Sequence, residues 1–178
     1  MAATEQVVKI RAAFGGTKAL AFSPDGHWLA TADGDTSIRM YDARTGRLRN
    51  TVDDLLLESF AIVFSTDGRC ILTGGADKVI NVIDASNGKL LRWLAKQDDA
   101  LLDLRQSRDG KRLAAAYVNA DDPSEPAPVV IWDVETQSAR TRILEPGIVP
   151  NGGEFLSDGR LLMTSGSEKE LKIWSVSR

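Results

Sequence analysis

The chain of 178 residues is 43% hydrophobic and 26% charged, which supplies a core and excludes disorder as its default state. A net charge of −3 gives no general attraction to nucleic acid or to an anionic membrane surface, so neither is expected as a partner. One cysteine, Cys70, excludes an internal disulfide and fits a reducing, cytoplasmic setting, and neither the start "MAATEQVVKIR" nor any apolar run has the length of a leader or a membrane span.

The first predicted element is a strand without a neighbour in sequence, "QVVKIR" at 6–11. A unit of four short strands follows, here termed a to d. "ALAF", the turn "SPDG", "WLATA", the turn "DGDT", "SIRMYD", the turn "ARTG" and "RLRNTV" alternate β-formers with Gly, Asp and Asn punctuation, which predicts an antiparallel meander. The second unit repeats it in phase with "AIVF", "STDG", "CILTG", "GADK", "VINVID", "ASNG" and "KLLRWL". The third runs "DLRQ", "SRDG", "RLAAAY", "VVIWD", "VETQ" and "ARTRIL", and the fourth "GEFL", "SDGR", "LLMTS", "GSEKE" and "LKIWSV".

The a-to-b turns carry Asp25-Gly26, Asp67-Gly68, Asp109-Gly110 and Asp158-Gly159, so the units step by 42, 42 and 49 residues. A fixed period of that size means stacked supersecondary units. The extra residues of the third step fall within "VNADDPSEPAP" at 118–128, whose prolines and acids predict a protruding loop. The units span approximately 17–53, 58–95, 100–144 and 150–178 within one domain covering 1–178.

With "FSPDGHWLATADGDTSIRMYD", "FSTDGRCILTGGADKVINVID" and the endings Trp132-Asp133 and Trp174-Ser175 in view, the chain resembles the WD-repeat β-propeller family along nearly its whole length. The resemblance implies an all-β fold of four-stranded blades, with residues 6–11 as the outer strand of the last blade. Strong members join a His before strand a, an Asp of the b-to-c turn, a Ser or Thr of strand b and a Trp of strand c in a hydrogen-bonded tetrad. Here Asp35 would pair with Thr31, Asp77 with Thr73 and Glu168 with Thr164, but Ala12 and Ala13 stand at the His place, and Tyr41 and Ile83 at the Trp place. The expectation is therefore of blades held by packing, without that network. Arg105 and Gln106 are also unusual for an innermost strand, where they would line a wet channel or pack poorly.

Four blades are few for this family. A lone four-bladed ring, an eight-bladed ring made by two copies, and a segment of a longer protein all fit the phase of the ends. The two-copy ring is the expectation, because an open half-ring exposes a blade face and a strand edge.

No catalytic residues, metal ligands or cofactors are expected. The only His, His27, follows a turn and has no partner for a nucleophile-activating pair; with Cys70 it cannot furnish a transition-metal shell. "DGD" at 33–35 lacks the further ligands of a calcium loop, and the "GG" pairs precede no helix that could hold phosphate. Arg44, Arg47, Arg49, Arg108, Lys111 and Arg112 alternate with Asp and read as a solvated rim.

In the resembled family the b-to-c and d-to-a loops share the face that usually meets partners. Here those loops carry Asp33, Asp35, Glu58, Asp77, Asp98, Asp99, Asp121, Asp122, Glu125, Glu154, Glu168 and Glu170 against Lys18, Lys78, Lys96 and Lys169. The functional expectation is a non-catalytic scaffold that offers this acidic face to a protein or basic peptide. The alternative is a propeller segment of a larger multidomain enzyme or sensor.

Overall fold

The computed structural model describes residues 8–11, 13–53, 55–94, 96–122, 125–144, 150–165 and 171–176. Those residues form strands and turns without a helix. The first blade is β1 (Thr17–Phe22), β2 (Trp28–Asp33), β3 (Ile38–Asp42) and β4 (Leu48–Val52). The second is β5 (Ser59–Phe64), β6 (Cys70–Gly75), β7 (Ile80–Asp84) and β8 (Leu90–Trp93). The third is β9 (Ala100–Gln106), β10 (Arg112–Val118), β11 (Val129–Asp133) and β12 (Ser138–Ile143), and the fourth β13 (Pro150–Phe155), β14 (Leu161–Ser165) and β15 (Leu171–Trp174). Every sheet is an antiparallel meander in chain order.

The first strands pack in series, β1 on β5, β5 on β9 and β9 on β13, so the blades fan out from one axis. Three apolar seams hold them. Between blades one and two, Ala30, Ala32, Ile38 and Met40 meet Ile62, Phe64, Ile71 and Ile83. Between two and three, Leu72, Ile80, Val82 and Leu94 meet Leu104, Leu113, Tyr117 and Trp132. Between three and four, Ala114, Ala116, Val129 and Ile131 meet Phe155, Leu161 and Met163. Alternation puts one set of each strand on each seam, so an interior blade is apolar on both faces.

The a-to-b turns have a shared mechanism. Ser23, Ser65 and Ser107 each donate to the turn carboxylate, Asp25, Asp67 or Asp109, at 2.5–2.6 Å. The same hydroxyl accepts the N–H of the residue five places on, at 2.9 Å, and the carboxylate accepts another turn N–H at 3.0 Å. Gly26, Gly68 and Gly110 take φ between 71° and 73°, which an L side chain disfavours. The Ser hydroxyl, foremost, holds these three carboxyls below their usual range.

The fourth turn departs from this. Leu156 stands where the others have Ser, and its N–H bonds Arg160 O at 2.8 Å, closing a turn one residue shorter than the Ser23-to-Trp28 closure. Phe155 consequently pairs with Leu161, whereas Phe22 pairs with Leu29. The slip turns Leu161 and Met163, rather than Leu162 and Thr164, into the third seam.

Among the described residues the N-terminal closing strand is not formed. Residues 8–11 belong to no strand, the fourth sheet has three strands among the described residues, and residues 6 and 7 lie outside them. The arc is open: among the described residues no packing comparable to the other seams joins β13 to β1. Yet residues 8–10 are in the place a preceding blade would fill. A Cβ on Gly46 would fall 2.6 Å from Val8 and 3.1 Å from Ile10, and one on the equivalent Gly88, a blade further on, would fall 3.2 Å from Val52 and 3.9 Å from Asn50 of β4.

Trp132 is the largest side chain fully enclosed by the second seam. Trp132→Ala is expected to destabilise the protein by about 3–5 kcal/mol, read from the midpoint of urea unfolding at unchanged slope.

Candidate partner-binding face

Strand order puts the b-to-c and d-to-a loops on one face, and direct contacts tie them together there. Gly34 N–H bonds Gly16 O at 2.8 Å, Gln97 N–H bonds Lys78 O at 3.0 Å, and Lys78 Nζ donates to Asp98 O at 2.5 Å.

The expected acids have different fates on that face. Asp33 is 1% exposed and enclosed, accepting from Thr17 Oγ1 at 2.8 Å, Thr31 Oγ1 at 3.2 Å and Arg39 Nη1 at 2.8 Å. Asp35 binds the other guanidinium nitrogen of Arg39 at 2.7 Å and the Ser37 hydroxyl at 2.6 Å. Arg39 first, then Ser37, holds the Asp35 carboxyl far below the usual range. Glu58 lies 3.9 Å from Lys18. Asp77 is half-buried and accepts from Asn81 Nδ2 at 2.9 Å.

Two expectations about polar contacts are corrected here. Thr31 pairs with Asp33, not Asp35, because Asp33 ends β2 two residues along the same face. Thr73 donates to Ala61 O at 2.8 Å rather than to Asp77, since Gly75 occupies the place of Asp33 in the second blade. The first blade thus has a buried polar network where packing alone was expected, and sequence reasoning missed its cation. Arg39 sits on strand c, outside the loops that were counted, although its spacing of four from Asp35 and six from Asp33 on an alternating strand was the available signal.

The exposed acids that remain are Asp98, Asp121, Asp122 and Glu125, with Asp99 half-buried. Asn119 Oδ1 accepts the N–H groups of Asp121 and Asp122 at 3.0 and 3.2 Å, and Glu125 N–H bonds Asp122 O at 3.1 Å, so the 118–128 insertion has an internal scaffold. Its far end is pinned by Ala127, buried in the second seam. Glu168 and Glu170 lie outside the described residues.

Glu154 belongs to a different cluster, on the innermost strands. Arg105 bonds Asp103 at 2.7 Å and Gly153 O at 2.9 Å, with Glu154 at 3.8 Å, while Asp103 accepts Gly153 N–H at 3.1 Å. Burial pushes the Asp103 carboxyl up despite the adjacent guanidinium. Arg105 and Gln106 therefore clamp neighbours: Gln106 Oε1 accepts Thr66 N–H of the second blade at 2.9 Å. Among the described residues no three metal-binding side chains converge, and no helix is long and apolar enough to cross a membrane.

Residues 6–42 and 58–84 match the family described as WD domain, G-beta repeat. WD repeats are matched within the first two units. The match takes in β1 to β3 and β5 to β7, and the remaining sheets continue the same topology. No curated protein sequence matches. Among solved structures it is similar to Kuenenia stuttgartiensis hydrazine synthase at TM-score 0.76 and 18% identity, over 96% of this chain and 49% of that one. At that identity the likeness concerns the fold, and this chain spans about half the length of the hydrazine synthase chain.

Arg39→Met leaves the enclosed Asp33 without its cation and is expected to cost about 2 kcal/mol or more at neutral pH. Because the folded Asp35 carboxyl lies below its unfolded value of 3.8, its contribution is complete above that value and is lost as pH falls through and below it. Chemical denaturation at neutral pH and at about pH 3 is expected to show a smaller acid-induced loss in Arg39→Met than in the parent.

Proposed function

We propose that this WD-repeat chain is a non-catalytic interaction scaffold, half of an eight-bladed ring that a second copy completes. The observation that carries the reading is the position of residues 8–10, set against the first blade as β4 is set against the second. A second copy would supply the missing sheet, pairing its β15 edge with this segment. Both ends of the arc support this. Leu20 and Phe22 on the first blade are 60% and 59% exposed, and Leu171 and Ile173 on β15 are 69% and 52% exposed, whereas the equivalent Ile62 and Phe64 of the second blade are buried in a seam. Apolar faces of that kind are association sites.

On the completed disc, Asp98, Asp121, Asp122 and Glu125 would steer a basic segment of a partner protein, with more effect on encounter and selectivity than on affinity. The half-length match to hydrazine synthase favours a second reading, in which the rest of the ring comes from further sequence of a larger multidomain protein.

Sedimentation of the chain is expected to give close to twice the 19.3 kDa of one copy, and Leu171→Asp with Ile173→Asp to return it to one; a parent that sediments at one copy removes the dimeric ring and leaves the second reading. Replacing Asp121, Asp122 and Glu125 by Lys is expected to weaken capture of a lysine-rich peptide by several-fold at low salt, and unchanged capture would remove the acidic face from the proposal.

A further inference from the structure

The a-to-b turns touch at the first two seams. A Cβ on Gly68 would lie 3.6 Å from Pro24 Cδ, and Gly110 packs on the Thr66 hydroxyl. At the third seam the nearest atoms to Gly159 belong instead to the Arg112 guanidinium, which also donates to Val176 O at 3.1 Å and lies 5.6 Å from the Phe155 ring centre. Between blades three and four, on the face opposite the acidic loops, lies a cleft of about 910 Å³.

Arg108, Lys111, Arg112, Arg140 and Arg160 line this cavity together with Asp109, Asp133 and Asp158. The carboxylates are already engaged. Asp109 holds the Ser107 hydroxyl at 2.6 Å and Lys111 N–H at 3.0 Å; Asp133 holds Arg140 at 2.5 Å and Thr136 N–H at 2.8 Å; Asp158 holds Arg160 at 2.8 Å. Arg140 and Arg160 are thereby matched. Arg108 and Lys111 are exposed and form no ion pair among the described residues, and Arg112, fixed by Val176 O, stands beside them.

The geometry points to an anion site here, taking a phosphate monoester. The lining carries five cations against three carboxylates, so a dianion would balance its net charge of +2, and a guanidinium already oriented by a carbonyl loses little freedom on forming charge-assisted bonds. A carboxylate would leave one charge unmatched. The phosphate can arrive free on a small molecule or on a phosphorylated peptide, and the chemistry of the site is the same. The site lies within one chain, so it stands or falls independently of ring completion.

The test is calorimetric titration of the full chain, in whatever assembly it adopts, with O-phosphoserine and with a phosphoserine peptide, beside the unphosphorylated peptide and single-stranded RNA. Phosphate-dependent binding is expected, weakening with added salt and falling at least about tenfold in Arg108→Glu/Lys111→Glu, whose exposed positions leave the fold intact by circular dichroism. Equal affinity for the two phosphate ligands assigns the site to free small phosphates, and tighter peptide binding assigns it to phosphopeptides. Absence of phosphate-dependent binding, an unchanged double variant, or tighter binding of RNA than of either phosphate ligand would overturn the assignment.

Discussion

A single blade of this chain cannot cover its own surface. Alternation along each strand sends apolar side chains to both faces of the sheet, and one sheet has nothing to bury them against. Stability therefore resides in the seams, where Leu104, Leu113 and Trp132 of one blade lie against Val82 and Leu94 of the one before. That dependence explains why the first three blades share one register and why the terminal faces stand out: Leu20 and Phe22 repeat residues that are seam-forming one blade further on.

Seams require aligned sheets, and alignment begins in the turns. The Ser hydroxyl of the a-to-b turn acts as both donor and acceptor, fixing the step of five residues from Ser23 to Trp28. Where Leu156 replaces it, the turn tightens by one residue and the whole of β14 presents its other set of side chains. Because a one-residue slip exchanges faces, the fourth blade can tolerate it only if both sets are apolar enough. Leu161, Leu162 and Met163 meet that condition, since consecutive rather than alternate positions are hydrophobic.

The repeat period, the strands and the Asp-Gly turns were legible in the sequence because each rests on local chemistry repeated in phase. The polar contacts were less so, because they depend on which neighbours a strand residue meets. Asp33 and Asp35 look alike in sequence, yet one ends inside a strand and is enclosed while the other stays on the turn. Arg39 changes the charge of the face without belonging to any of its loops. Likewise the slip in the fourth blade follows from the absence of one hydroxyl, which a pattern search for Asp-Gly passes over. Arg105 lines the cleft along the four first strands, as its place on an innermost strand implied, but its second role as a clamp shows only with β13 beside β9.

The equivalent positions of the first and third blades show how a terminal face differs from an interior one. Thr31, Asp33, Arg39 and Tyr41 of the first blade correspond to Ala115, Tyr117, Val130 and Trp132 of the third, all buried there. In the third blade Trp132 Nε1 and Tyr117 Oη lack a hydrogen-bond partner by geometry, and burial lifts the Tyr117 hydroxyl to about 12. That blade accepts two weakly served polar atoms as the cost of an apolar seam. The first blade does the reverse: its apolar rim at Leu20, Phe22 and Leu48 surrounds a saturated polar centre of Thr17, Thr31, Asp33 and Arg39. A wholly apolar end face would join any exposed sheet, whereas a polar centre penalises every partner that cannot seat against it. In the ring proposed above, the buried Asp33 carboxylate would therefore restrict which surface can seat against this end, through the same residues that satisfy it within the blade.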